Sequence, residues 1–147
     1  MTWKPNVTVA AVVEKDGKFL LVEEEAESGV CLNQPAGHLE ANETIIQGVI
    51  RETLEETGYQ IAPQSLIGIY RWQHLQKDII YLRFTFAAVA LAHDGARRLD
   101  HGIIATHWLT YDEIAQKRAR HRTPMVLRSI DDYLAGRRYP LDVLTHL

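Results

Sequence analysis

A chain of 147 residues with 46% hydrophobic content can close a hydrophobic core unaided, so we expect one domain spanning residues 1–147. The formal charge of −3 at pH 7 offers no basic surface for a polyphosphate backbone, which argues against long nucleic acid as a partner. The single cysteine, Cys31, and the absence of any run near the roughly 20 apolar residues of a membrane span favour a reducing cytoplasm over a secreted or membrane-bound location.

The first predicted element is an apolar strand from Val7 to Val13, which a tight turn at Asp16-Gly17 connects to a second strand from Lys18 to Glu23. Because the first strand has almost no polar face, we expect helices on both sides of the sheet. Residues 24–33 are polar and contain Ser28-Gly29, so we interpret them as a loop. The pattern predicts an α/β fold.

A helix follows, with Asn42 as a suitable N-cap residue and Gly58 as its left-handed C-terminal stop. β-branched and aromatic residues then predict three strands, and capping residues predict two further helices. The strands cover Ser65–His74, Ile79–Leu91 and Ile103–Leu109, and the helices cover residues 110–119 and 123–135. We expect residues 92–102 to form a mobile loop.

The predicted helix carries Glu52, Glu55 and Glu56 at i, i+3 and i+4, which places three carboxylates on one face. Each like-charge pair costs an isolated helix about 0.2–0.5 kcal/mol, and anions near a helix C-terminus cost a further ~0.3–1 kcal/mol each. Such runs are usually a solvated helix face. A bound hard cation would instead turn the repulsion into coordination, so the cluster is a candidate metal site.

The spacing of charged and glycine residues in this segment favours the functional interpretation. Residues 37–59 read GHLEANETIIQGVIRETLEETGY, and they resemble the Nudix box at every charged and glycine position. Thr53 and Tyr59 stand where that family prefers aliphatic residues, and both are packing positions. The resemblance implies a Nudix-type α/β/α sandwich with a mixed β-sheet, and a hydrolase that acts on acid anhydrides.

The carboxylates supply only hard oxygen ligands, which favours Mg2+ or Mn2+ over zinc. The backbone carbonyl of Gly37 could join them because no side chain blocks close approach. The resemblance assigns the metal to the same groups, and it implies that Glu43 and Arg51 orient the site through ion pairing. We therefore predict that the catalytic residues are Glu43, Arg51, Glu52, Glu55 and Glu56 and that the metal ligands are Gly37, Glu52, Glu55 and Glu56. The spacing leaves open which glutamate acts as the general base.

Weaker signals indicate a substrate-binding surface. Aromatic residues on the predicted strands, Trp72 with Tyr70 and Tyr81, could hold a heterocycle, and nearby cations such as Arg83 could hold its outer phosphate. Ordinary alternation of core and surface residues is the alternative for each of them. His38 flanks the box and either touches phosphate or caps a turn. Cys31 lies in a polar stretch without a placed base, which argues against a catalytic thiol.

The resemblance extends along nearly the whole chain to one bacterial branch of the family. It implies hydrolysis of nucleoside triphosphates and diphosphates, and of small organic pyrophosphates such as hydroxymethylpyrimidine diphosphate, with release of orthophosphate. Two alternatives stay open: a nucleotide-binding module without chemistry, and a house-cleaning pyrophosphatase that releases pyrophosphate. We expect a monomer because the sequence shows no exposed apolar stripe.

Overall fold

The computed structural model describes residues 2–147, in which four strands, one helix, three strands and two further helices follow one another. The strands are β1 (Asn6–Lys15), β2 (Lys18–Ala26), β3 (Gly29–Asn33), β4 (Ala36–His38), β5 (Tyr59–His74), β6 (Ile79–His93) and β7 (Ile103–Thr110). The helices are α1 (Ile45–Thr57), α2 (Tyr111–Gln116) and α3 (Met125–Leu134), with short 3-10 turns at Arg118–Arg120 and Leu141–Val143.

All seven strands join one mixed sheet in the order β3-β2-β1-β6-β5, with β4 paired to β1 and β7 paired to β2. β1 and β6 run parallel, and every other pairing is antiparallel. One edge of β1 pairs first with β4, at residues 8–10, and then with β2, at residues 14–15. β1 therefore changes partner along this edge, from β4 to β2. β4 lies beside α1.

β1 is buried on both faces and separates two hydrophobic cores. Val9, Ala11 and Val13 belong to one core together with Val49 of α1. Val12 belongs to the other, with Ile114 of α2 and Leu127 and Ile130 of α3. Because side chains alternate along a strand, these neighbours face opposite helix layers. The predicted α/β/α sandwich with a mixed sheet is confirmed.

The start predicted for α1 was wrong, because Thr44 and not Asn42 is the N-cap. The Thr44 hydroxyl accepts the Gln47 backbone N–H at 3.0 Å, and the Gln47 side chain accepts the Thr44 N–H at 2.9 Å. This reciprocal pair satisfies two backbone donors that a cap at Asn42 would leave without partners. The predicted end is correct: Gly58 has φ 76° and donates its N–H to the Leu54 carbonyl.

Other predicted boundaries were also wrong, mostly because strand pairing extends beyond the local signals. Residues 24–33 are not a loop, since β2 and β3 form a hairpin with only Glu27 and Ser28 between them. β5 begins before Ser65, at Tyr59, and β6 continues to His93. Bulges in β5, one of them at Pro63, let the two strands stay paired over this length. The helix predicted to reach residue 119 ends at Gln116. Among residues 2–147, no helix is both long and apolar enough to cross a membrane.

Candidate active site

Carboxylates from α1 and from the segment between β6 and β7 meet at the C-terminal half of the helix. Oxygen atoms of Glu52, Glu55 and Asp100 all lie within 4.8 Å of one another. The Asp100 backbone N–H donates to the Glu55 carbonyl at 3.0 Å, which fixes the segment against α1. Asp100 was missed by the sequence analysis, because nothing in its local sequence shows that it contacts residues 52–55.

Arg51 lies at the centre of this acidic group and offsets much of its repulsion. Its guanidinium donates to both Glu43 carboxylate oxygens, through Nε at 2.8 Å and Nη2 at 2.7 Å. Nη1 donates to Glu52 at 2.9 Å and to Glu55 at 3.1 Å, and Nη2 also reaches the His38 carbonyl. The two-pronged bond from Arg51 lowers the pKa of the Glu43 carboxyl group. One arginine therefore fixes the positions of three glutamates.

Gly37 on β4 is required by the close approach of α1. A Cβ atom at this position would collide with the carboxyl group of Glu52. Glu52 is 8% exposed, and burial raises the pKa of its carboxyl group, while the hydrogen bond from Arg51 opposes that shift. The backbone of β4 and the Glu52 carboxylate thus share one tight space at the end of the helix.

Glu56 lies deeper than the other helix carboxylates, with 7% of its surface exposed. Its Oε1 accepts the Ala36 backbone N–H at 2.9 Å. Burial raises the pKa of this carboxyl group to about 9, and the negative charges of Glu24, Glu52 and Asp100 add to the shift. In the part of the chain that the structure describes, Glu56 lies outside the group of three whose oxygens converge.

A cleft of about 1040 Å³ is lined by Glu52 and Glu56 and by residues near the tip of the β5–β6 hairpin. Gly37, His38 and Trp72 also line it. Ligand sites in proteins commonly enclose about 300–1,000 Å³, so this cleft has room for a nucleotide-sized molecule. His38 is exposed at its edge.

Of the side chains predicted to bind substrate, Trp72 and Tyr81 present their rings to the cleft, whereas Arg83 is almost fully buried. Trp72 and Tyr81 pair across β5 and β6 with ring centroids 6.0 Å apart and planes at 18°, and both line the cleft. Arg83 is only 3% exposed on the cleft floor, where Nη2 donates to the side-chain oxygens of Asn33 and Gln34, each at 3.2 Å. Burial lowers the pKa of Arg83 to about 10.

Two other candidate residues lie away from this chemistry. Tyr70 is outside the cleft, and its hydroxyl donates to Asp132 of α3 at 2.6 Å, where it helps to hold the helix on the sheet. Cys31 is 5% exposed, and burial raises the pKa of its thiol. The side chain therefore stays protonated, and a protonated thiol is a poor nucleophile. The argument against a catalytic cysteine therefore agrees with the structure.

The match to a NUDIX domain model over residues 2–129 shows that the chain belongs to the Nudix family of hydrolases. It is 42% identical over 142 residues to phosphatase NudJ of Escherichia coli K12, across 97% of this chain and 92% of that protein. A NUDIX hydrolase from Nitrosomonas europaea has 53% identity and a TM-score of 0.96, with 98% of both chains covered.

A more distant solved structure, a UDP-X diphosphatase, has 20% identity and a TM-score of 0.75 over 95% of this chain and 68% of its own. At that identity the likeness concerns the fold alone. The resemblance predicted from the box, and its extension to the NudJ branch, are both confirmed. The chain is an enzyme of the Nudix hydrolase class, a class that generally uses a divalent metal.

The residues at the carboxylate end fit a divalent cation of the hard type. Glu52, Glu55 and Asp100 bring only carboxylate oxygens together, and hard oxygens are the donors that Mg2+ and Mn2+ prefer. The space between Gly37 and Glu52 has no room even for a methyl group, so the backbone approaches the same carboxylates. The arrangement agrees with the metal dependence of the family.

Proposed function

We propose that this Nudix hydrolase cleaves phosphoanhydride bonds in nucleoside triphosphates and diphosphates and in small organic pyrophosphates such as hydroxymethylpyrimidine diphosphate, releasing orthophosphate. The observation that carries the proposal is the cluster of Glu52, Glu55 and Asp100 beside a nucleotide-sized cleft. The 42% identity to a protein named phosphatase supports orthophosphate as the product.

Mg2+ or Mn2+ would be held by the Gly37 carbonyl and by the carboxylates of Glu52, Glu55, Glu56 and Asp100. When bound, the cation neutralises charge on the phosphoryl group and makes a water molecule easier to deprotonate. Arg51 holds Glu43, Glu52 and Glu55 in fixed positions, so the ligands need little reorganisation.

The carboxylates differ in how accessible they are to the solvent that supplies an attacking water. Glu52 and Glu56 are 8% and 7% exposed, which suits groups that bind an ion. Glu55 has 31% of its side chain exposed, and Asp100 is exposed as well. These two carboxylates reach the solvent from which the water comes, and we propose that the general base is one of them.

A substrate panel tests the proposed activity. Nucleoside triphosphates, nucleoside diphosphates and hydroxymethylpyrimidine diphosphate are incubated with Mg2+, and orthophosphate and pyrophosphate are measured separately. We expect orthophosphate from all three classes, and no turnover after chelation. Pyrophosphate as the product from triphosphates would support a house-cleaning pyrophosphatase instead, and tight binding without turnover would support a binding module.

We further propose that the enzyme is a monomer of the cytoplasm that acts on small molecules rather than on long nucleic acid. The buried free thiol of Cys31 suits a reducing compartment. The exposed large apolar side chains are spread over several elements, including Ile69 on β5, Val89 and Leu91 on β6 and Leu134 on α3. Sedimentation velocity at micromolar concentration is expected to give one species of 16.8 kDa; a stable dimer would overturn the monomer proposal.

A further inference from the structure

The cleft that Glu52 and Glu56 line also contains an aromatic surface and a buried charged network. Trp72 and Tyr81 lie nearly parallel on neighbouring strands, so their rings offer a broad apolar surface for a flat molecule. Glu24 on β2 lines the same cleft and is only 7% exposed. Neither the aromatic pair nor Glu24 belongs to the group of converging carboxylates formed by Glu52, Glu55 and Asp100.

Hydrogen bonds hold the Glu24 carboxylate in one orientation. Its Oε1 accepts the side-chain N–H of Asn33 at 3.1 Å and forms an ion pair with Arg122 at 2.8 Å. Asn33 in turn accepts from Arg83 at 3.2 Å, so the network continues across the cleft floor. Both of these contacts use Oε1, and Oε2 is not among the fully buried atoms without a partner in residues 2–147, so it remains accessible from the cleft. A fixed acceptor thus remains for a ligand.

A carboxylate only accepts hydrogen bonds, so it discriminates between donors and acceptors at the edge of a ring. An exocyclic amino group can donate to Oε2, whereas an oxo group in the same place would put two acceptors against each other in a buried site. Arg83 and Arg122 flank Glu24 and offset its charge, so the carboxylate does not require a cationic ligand.

We propose that Glu24 selects substrates whose heterocycle carries an exocyclic amino group, with the ring lying against Trp72 and Tyr81. The proposal rests on the proposed function, because it assigns the cleft to the organic part of a diphosphate or triphosphate substrate. Glu24 then acts as a specificity-determining residue, and the carboxylates of α1 and Asp100 act on the phosphates.

Matched nucleotide pairs test this selection directly. ATP and ITP differ at one ring position by an amino or an oxo group, and CTP and UTP differ in the same way. We expect kcat/KM to be about tenfold or more higher for the amino member of each pair, because the oxo member sets an acceptor against the Glu24 carboxylate and forms no hydrogen bond with it. An amino-to-oxo ratio near one in the wild-type enzyme would overturn the proposal without any variant.

Glu24→Gln removes the charge, keeps the size and adds an N–H donor, so the ratio is expected to fall toward one. Glu23→Gln is the matched control, because Glu23 lies next along β2 and binds His107 and Arg120 outside the cleft. The control is expected to keep the wild-type ratio. An unchanged ratio in Glu24→Gln would contradict the role, since a merely structural role lowers both members equally.

An acyclic alkyl diphosphate separates failure of this inference from failure of the proposed function. Trp72→Ala should raise KM for nucleotides by removing the stacking surface, and leave KM for the acyclic substrate unchanged. If no phosphate is released from any substrate with Mg2+, the proposed function fails. If phosphate is released with equal efficiency from amino and oxo nucleotides, the proposed function stands and the selection by Glu24 is wrong.

Discussion

The Glu56 carboxyl group has little access to water and forms no ion pair within residues 2–147, and burial raises its pKa to about 9 from the ordinary value of 4.5. The folded, metal-free protein therefore binds this proton more tightly than the unfolded chain does. Its contribution to the free energy of unfolding is fully present below about pH 4.5 and is lost as pH rises toward 9. A side chain suited to hold a cation is thus destabilising near neutral pH until the cation arrives.

Glu56→Gln should remove that pH-dependent cost, because an amide stays neutral at every pH. In chelator at pH 8 we expect the variant to melt at least about 3 °C above wild type, which is roughly 1 kcal/mol for a chain of this size. At pH 4.5 the difference should be small. Turnover with Mg2+ should fall about 100-fold or more. An equal difference in melting temperature at both pH values would contradict a proton held by burial.

Asp100 tests whether the cluster extends beyond α1. Asp100→Asn keeps the shape and the backbone bond to Glu55 but removes one carboxylate, so we expect turnover to fall on the order of 100-fold. Asp94→Asn is the control, since it makes the same change in the same segment outside the cluster. Steady-state kinetics at saturating Mg2+ measure both, and wild-type turnover in Asp100→Asn would exclude Asp100 from the site.

At the scale of elements, the end of α1 is coupled to the segment that carries Asp100. Gly58 adopts φ 76°, and a Cβ there would lie 2.7 Å from the Asp94 carbonyl oxygen. The Asp94 N–H also donates to the Gly58 carbonyl at 2.9 Å. The helix C-cap therefore sets the start of the segment that returns to Glu55 at Asp100.

Gly58→Ala should both strain the backbone and push this segment away from α1. Gly17→Ala provides a matched control, because Gly17 has the same φ of 76° and no atom of the described residues lies within 4 Å of an added Cβ. We expect each variant to lose about 1 kcal/mol from backbone strain, and Gly58→Ala to lose more and to lose turnover as well. Thermal melts and kinetics would show equal losses in both variants if the helix end and the segment were independent.

Local signals explain which parts of this site could be predicted. The glutamates of α1 and its stop at Gly58 are set by spacing within one helix, so they are visible in the sequence. The N-cap could also be predicted from the sequence, because a capping box needs Glu or Gln three residues after the cap. Gln47 stands there after Thr44, whereas Ile45 stands there after Asn42. Asp100 and the start of β5 depend on contacts between distant segments, which no local pattern contains.

At the scale of the whole molecule, a cation that binds only the folded site must stabilise the entire domain by mass action. Mg2+ at 100 times its dissociation constant adds about 2.7 kcal/mol to the free energy of unfolding. We expect a rise of several degrees in melting temperature with Mg2+ and its reversal by chelator. Glu52→Gln should abolish most of the rise, and an identical melting temperature with and without saturating Mg2+ in the wild type would contradict a preformed site.

The strand order also determines when this enzyme can first become active during its synthesis. β1 and β2 are made first, yet β1 needs β6 as its parallel neighbour and β2 needs β7. A nascent chain that has not yet reached β6 leaves apolar strand edges without partners, which favours aggregation. The glutamates of α1 therefore form a complete site only after Asp100 and β7 have been synthesised. Fragments released before residue 110 should be insoluble and inactive.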